Sequence, residues 1–403
     1  MEMAPLASAP DWPALEAVLA RDPGGRGVAG YRWHGRLLAA GQLEAAARSL
    51  AAGGEHVAIV TGFCVAGAEP RAAETDGPPG ALYLARALTA LGIDVTLVSD
   101  SIALPLLEAG RKLWDLEGVT LSQFPFTSTG NIDTWIDEFL ASPPRSPPRS
   151  GTRESSHSNP DDRNSHEFLA SPPSGGTRES FDLRPDDRNS HEFRYASGPP
   201  RRHRPLTHLV AIERAGPSHT LLSLAAQTRS GAAPIALFER EVPPDERDVC
   251  HNMRGEPIDA WTAPLHRLFD AIRARGLPIE TIGLADGGNE IGAGSVPWEI
   301  LRETIAQGPA GRVACRIATD HLLLAGVSNW AAYALAGSVA ALAGRRELIA
   351  DWNADGQRRL IETMVHQAGA VDGVTRMRQA TVDGLPLETY LRTMSDILGV
   401  LTR

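Results

Sequence analysis

Short apolar runs alternate with segments of helical periodicity along most of the chain, and their order predicts an α/β fold. His56-Val57-Ala58-Ile59-Val60-Thr61 lacks polar alternation, as expected of a strand covered on both faces. Further strands are predicted at Asp94 to Val98, Val119 to Gln123, His208 to Ile212, Thr281 to Ala285 and Arg312 to Ala318. Helices are predicted from about Gly80 to Leu91, Ser101 to Ala109, Asp133 to Leu140, Ala263 to Arg275, and through Trp330 to Leu342. Fully apolar strands separated by helices imply a mostly parallel, Rossmann-like sheet with helices on both faces. Residues 55–343 read as this α/β domain, with helical flanks at 1–54 and 344–403.

The pattern fails between residues 140 and 205, where Pro, Ser, Arg, Asp and His replace the aliphatic residues. The stretch also repeats itself: Glu138 to Pro144 returns as Glu167 to Pro173, and Pro160 to Phe168 returns as Pro185 to Phe193. A composition with so little to bury predicts a disordered, duplicated insertion within the α/β domain.

Composition narrows the chemistry. The 403 residues carry a net charge of −10, which disfavours nucleic acid as the main partner, and no run is apolar enough to span a membrane. Lys112 is the only lysine, and its surroundings, Gly110-Arg111-Lys112-Leu113-Trp114, are not those of a cofactor lysine. Pyridoxal phosphate chemistry, Schiff-base aldolases and P-loop nucleotide hydrolysis each need a lysine in a defined context, so they are excluded. Cys64, Cys250 and Cys315 show no CxxC spacing, which argues against zinc ribbons and disulfide frameworks. With no basic and apolar leader in Met1 to Asp11, the expected location is the cytoplasm.

In an open parallel sheet, ligands bind beyond the C-terminal strand ends, so polar residues there are the candidates. Thr61-Gly62-Phe63 follows the first strand and leads to Glu74-Thr75-Asp76-Gly77-Pro78-Pro79-Gly80, ahead of a helix whose free N–H groups can hold an anionic oxygen. No GxGxxG turn is present, so NAD or a flavin is not expected. Glu213-Arg214 follows the fourth strand, and Asp286-Gly287-Gly288-Asn289-Glu290 the fifth. In that loop the glycines admit a ligand close to the backbone, and Asp286, Asn289 and Glu290 offer oxygen ligands or acid/base groups. Thr319-Asp320-His321, read as following the last strand, sets a carboxylate beside an imidazole. Arg254, in Asn252-Met253-Arg254-Gly255, could grip a carboxylate through two hydrogen bonds. Oxygen-rich ligands such as Asp286, Glu290 and Asp320 would suit Mg²⁺ or Mn²⁺.

Taken in order, Thr61-Gly62-Phe63, Glu74 to Gly80, His208 to Glu213, Asn252 to Gly255, Asp286 to Gly292, Thr319 to His321 and Gly326-Val327-Ser328-Asn329-Trp330 resemble the C-terminal domain of the D-glutamate cyclase family, which also occurs as a stand-alone bacterial protein. The resemblance covers about Glu55 to Leu342 except the insertion. It implies conversion of D-glutamate to 5-oxo-D-proline and water, a hydro-lyase reaction that needs no lysine, nicotinamide or pyridoxal phosphate. On this reading Asp286, Glu290, Asp320 and His321 are the acid/base candidates, and Thr61, Gly62, Glu74, Asp76, Gly77, Arg254, Asn289 and Asn329 the substrate-binding ones. The alternatives are a non-catalytic small-molecule-binding domain, or a different metal-assisted hydrolase or lyase in the same cleft.

Overall fold

The computed structural model describes residues 9–126, 131–141, 204–227 and 234–403; the insertion expected at 140–205 lies outside them except at its ends. Six parallel strands form the central sheet: β1 His56–Thr61, β2 Asp94–Ser99, β3 Thr120–Gln123, β4 His208–Ile212, β5 Glu280–Ala285 and β6 His321–Leu324. Their order across the sheet is β6-β5-β4-β1-β2-β3, that of a doubly wound, Rossmann-like fold. The parallel, helix-covered sheet expected from the apolar runs is the one observed.

The side-chain alternation of each strand feeds two cores. Val57 and Ile59 join Val95, Leu97, Val210, Ile212, Ile282 and Leu284 on one face. That face is covered by α1 Trp12–Leu19, α2 Gln42–Gly53, α3 Pro78–Ala90, α4 Leu104–Leu113, α7 Ser328–Leu342, α8 Ala354–Ala368 and α9 Leu387–Leu401. Ala58 and Val60 join Val98, Leu209, Ala211 and Ala285 on the other, against α5 Ile132–Leu140 and α6 His266–Arg275. Helix α7 is nearly all Ala, Gly, Ser and Val between its aromatics and is buried on every side, packed on α2, α3 and α9.

The expected strand Arg312 to Ala318 is not a strand. Pro309 starts a short helix, Ala310–Val313, and the chain then crosses beneath the Gly288 to Gly294 loop. There Cys315 N donates to Gly288 O (3.0 Å), Arg316 N to Pro217 O (2.9 Å), and Ile317 O accepts from Gly292 N (2.9 Å). The backbone is satisfied by loops rather than by a strand ladder, and the true sixth strand begins only at His321. A two-residue hairpin, Arg32–Trp33 with Arg36–Leu37, interrupts the N-terminal flank that was expected to be helical throughout.

Candidate functional site

The sheet reverses its winding between β1 and β4, and the C-terminal ends of these adjacent strands open a crevice there. Gly77 sits in that opening with φ of 92°, and a Cβ on it would lie 2.7 Å from Thr61 Oγ1 and 2.8 Å from Glu213 Cβ. Only glycine fits both the left-handed backbone and the space. The residue that closes β4, Glu213, itself has φ of 45°, which turns its side chain off the ladder at the strand end.

Three carboxylates meet at this point. One oxygen from each of Asp76, Glu213 and Asp286 lies within 4.8 Å of the others, and all three residues are buried. Asp76 accepts from Ser328 N and Asn329 N, both at 2.9 Å, and Glu213 Oε2 accepts from Ser328 Oγ at 2.6 Å. Asp286 is fully buried and neither of its carboxylate oxygens has a hydrogen-bond donor. Buried polar atoms are nearly always satisfied, so an unsatisfied carboxylate facing two others fits a site that receives a cation. Glu74 and Asp383 extend the acidic cluster. Arg26 is its counter-charge: Nη1 lies 3.5 Å from Asp286 Oδ1, and Nη2 pairs with Asp383 Oδ1.

Burial pushes the carboxyls of Glu74, Asp76, Glu213 and Asp286 well above their ordinary range, and their mutual repulsion adds to it. The opposing effects are smaller: the amides of Asn329 and Ser328 favour ionised Asp76, and Arg26 favours ionised Asp286. Burial disfavours the charge on Arg26, but Asp286, Asp383, Glu213 and Glu74 outweigh it and hold the guanidinium protonated.

A cavity of about 370 Å³ opens onto the cluster. Glu74 and Glu213 are its acidic lining, with Asn289 and Phe63 to Gly67 also on its wall, while Arg26, Arg254 and Arg376 bring three guanidinium groups to the same space. Cations and carboxylates facing one cavity suit a ligand that carries both charges, such as an amino dicarboxylate. Gly373, Val374 and Arg376 come from the C-terminal flank, where Asp372 accepts from Val374 N, Thr375 N, Thr381 Oγ1 and Gly384 N at 2.7 to 2.9 Å and so shapes the loop. Thr75 N bonds Val371 O at 2.9 Å, which ties that loop to the Glu74 segment.

The structure brings together Thr61, Gly62, Glu74, Asp76, Gly77, Asp286, Asn289, Glu290 and Asn329 around the crevice. Glu290 contributes from behind: its two oxygens accept from Gly287 N (3.0 Å) and Gly288 N (2.7 Å), so it shapes the Asp286 loop. Asn289 Nδ2 is spent on His251 O at 2.8 Å, which anchors the long connection bearing Arg254. Asp320 and His321 are not in the site. Asp320 immediately precedes β6 and His321 is its first residue, so both lie at the N-terminal end of the sheet, roughly 15 Å or more away along β5. Exposed Asp320 accepts from Thr281 N (2.8 Å) and Thr281 Oγ1 (2.7 Å), and His321 Nε2 lies 3.8 Å from Glu280 Oε2. The expected trio Asp286, Glu290 and Asp320 is thus not brought together; the carboxylates that converge are those of Asp76, Glu213 and Asp286. Arg26, Arg376 and Asp383 were not among the sequence candidates, because no local pattern ties the two flanks to the sheet.

Residues 15–227 and 236–398 match a family described as D-glutamate cyclase-like, C-terminal. The chain belongs to that family. Membership extends past the motif region into both flanks, which supply Arg26, Arg376 and Asp383. The D-glutamate cyclase-like chain is also 28% identical over 323 residues to the human protein named D-glutamate cyclase, mitochondrial, which is 80% of this chain and 37% of that protein. It thus spans well under half the length of that relative. Among the described residues, no helix is long and apolar enough to cross a membrane.

Proposed function

We propose that the chain binds D-glutamate in the arginine-lined cavity and closes it to 5-oxo-D-proline with loss of water, with Mg²⁺ or Mn²⁺ at Asp76, Glu213 and Asp286. The observation that carries this reading is the buried triad, with Asp286 unsatisfied, whose Glu213 lines a cavity that also presents three arginines. The relative's name and the family description support the choice of substrate.

The reaction sets the requirements. A bond forms between the amino nitrogen and the carbon of the γ-carboxylate, one carbon–oxygen bond of that carboxylate breaks, and the two protons lost by the ammonium leave with that oxygen as water. No electrons are exchanged and no carbanion forms at the α-carbon, so neither NAD nor pyridoxal phosphate is required. One group must take a proton from nitrogen and give one to oxygen. Glu74 suits that task, because it lines the cavity, its Oε1 has no hydrogen-bond partner, and burial raises its pKa above the ordinary carboxylate range. Arg254 and Arg376 hold the carboxylates and turn the γ-carboxylate carbon toward the nitrogen. A cation on the triad would polarise the γ-carboxylate, which is otherwise a poor electrophile. The reading keeps the cytoplasmic location expected from the sequence.

The test is incubation of the purified chain with D-glutamate and with L-glutamate, with Mn²⁺, with Mg²⁺ and with chelator, followed by chiral chromatography for 5-oxoproline. Product from D-glutamate that depends on the cation supports the reading. D-Glutamate binding without product under every metal condition would leave a non-catalytic binding domain.

A further inference from the structure

The acidic cluster already contains a cation of its own, and the chain builds that cation's position with care. Arg26 lies in a loop of the N-terminal flank whose fold is set by Asp22. Asp22 Oδ1 accepts from Arg26 N at 2.9 Å and Oδ2 from Gly27 N at 2.7 Å. Ala306 N donates to Arg26 O at 3.0 Å, and Gly27, with φ of 92°, packs so tightly that a Cβ would lie 2.1 Å from Thr304 O. A loop held at both faces delivers the guanidinium to Asp286 and Asp383, with 12% of the side chain exposed and that part facing the cavity. At 3.5 Å, the contact with Asp286 Oδ1 is an ion pair and leaves that oxygen without a hydrogen bond.

Asp286 therefore belongs to two arrangements at once. It is the Arg26 partner, and it is one of the three carboxylates that converge within 4.8 Å. A divalent cation and a guanidinium cannot both sit close to the same buried carboxylate, because two like charges in a poorly screened site repel strongly. Resting on the cation reading of the triad, we propose that Arg26 is a built-in competitor for that site: it neutralises Asp286 while the divalent cation is away and gives up that contact when the cation binds. Arg26 is then a positioning residue. It sets how tightly the cation is held, and its released guanidinium remains in the cavity wall beside Arg254 and Arg376.

The test reads cation binding and Arg26 itself, not turnover. Mn²⁺ binding to the full chain is measured by the loss of free-ion electron paramagnetic resonance signal, for wild type, Arg26→Gln and Asp22→Ala. Removing the competitor is expected to tighten Mn²⁺ binding about 10-fold or more in Arg26→Gln, in line with a positive charge close to a buried site. Asp22→Ala keeps the arginine but loosens its loop, and a smaller change of the same sign is expected. It also serves if Arg26→Gln fails to fold for want of a counter-charge. In parallel, phenylglyoxal modification of Arg26 in the wild type, followed by mass spectrometry, is expected to speed up several-fold with saturating Mn²⁺. Unchanged or weaker Mn²⁺ binding in both variants, or unchanged labelling of Arg26, overturns the exchange while leaving the cation site in place. Absence of Mn²⁺ binding in wild type and variants alike overturns the cation reading and the exchange with it.

Discussion

Asp76 and Asn329 cap each other's helices. Asp76, just before α3, accepts from the first amides of α7, Ser328 N and Asn329 N, while Asn329 Oδ1, on α7, accepts from Gly77 N (3.1 Å) and Gly80 N (2.7 Å) at the start of α3. Neither helix has a side-chain cap at its own N-cap residue. The two N-termini, each bearing partial positive charge, thus converge on the acidic cluster from the same side. This fixes the orientation of Asp76, so its carboxylate serves structure and site together.

Asn329→Ala is expected to lower stability by about 1–3 kcal/mol, since buried amides at the start of α3 lose their acceptor. Gly77→Ala should cost more and also distort the site, because the added Cβ meets Thr61 Oγ1 and Glu213 Cβ. Denaturant unfolding followed by circular dichroism measures both. Equal stability of Asn329→Ala and wild type would show that water replaces the side chain.

The two aspartates once grouped as acid/base candidates should behave oppositely. Asp286→Asn is expected to lower turnover by about 100-fold or more, because it weakens the triad that holds the cation. Asp320→Asn is expected to leave turnover within about two-fold and to lower stability modestly, because Asp320 only ties β5 to the start of β6 through Thr281. Initial rates with D-glutamate beside thermal unfolding of both variants decide this. A large rate loss in Asp320→Asn would mean the site reaches beyond the crevice.

The sheet was legible because uninterrupted apolar runs such as His56 to Thr61 and His208 to Ile212 leave little alternative to buried parallel strands. Glu74, Asp76, Gly77 and Asp286 were legible because they follow such strands or precede a helix. The last strand misled: Arg312 to Ala318 is apolar enough for a strand but is used as a loop floor, and this displaced Asp320 and His321 to the wrong end of the sheet. Arg26 and Asp383 lie hundreds of residues apart in sequence, and only the packing of the flanks on the sheet joins them. Glu213 stood in plain view after β4, and its place in the triad follows from a backbone turn, φ of 45°, that sequence does not disclose.

Arg254→Ala should raise KM for D-glutamate while changing kcat little, since an arginine that grips a spectator carboxylate binds substrate and transition state about equally. Arg254 Nη2 also donates to Val374 O at 3.2 Å, which joins two walls of the cavity. A Lys at this position keeps the charge but not the fork, and is expected to recover only part of the affinity. Saturation curves for wild type, Arg254→Ala and Arg254→Lys provide the comparison. A fall in kcat with unchanged KM would instead place Arg254 at the reacting carboxylate.

Stability of the cation-free chain should fall as pH rises. Glu74, Asp76, Glu213 and Asp286 have folded-state pKa values raised above their unfolded values by burial and mutual repulsion, so the folded state binds more protons than the unfolded one over that interval. Below the ordinary carboxylate range of about 4 both states are protonated and the contribution is fully present. It is lost as pH climbs from there through the raised folded values, because each ionisation then adds charge to a buried cluster whose own counter-ion is Arg26. A divalent cation inverts the trend, since it binds the ionised form and stabilises the folded chain by mass action. The measurement is thermal unfolding from pH 5 to 8 with chelator and with excess Mn²⁺, in wild type and Asp286→Asn. The expected result is a falling midpoint with chelator, a flat or rising one with Mn²⁺, and a shallower dependence in Asp286→Asn. A midpoint that rises with pH in chelator would mean that the four carboxyls are ionised and stabilised in the folded chain without a cation, which contradicts the direction assigned to their pKa values.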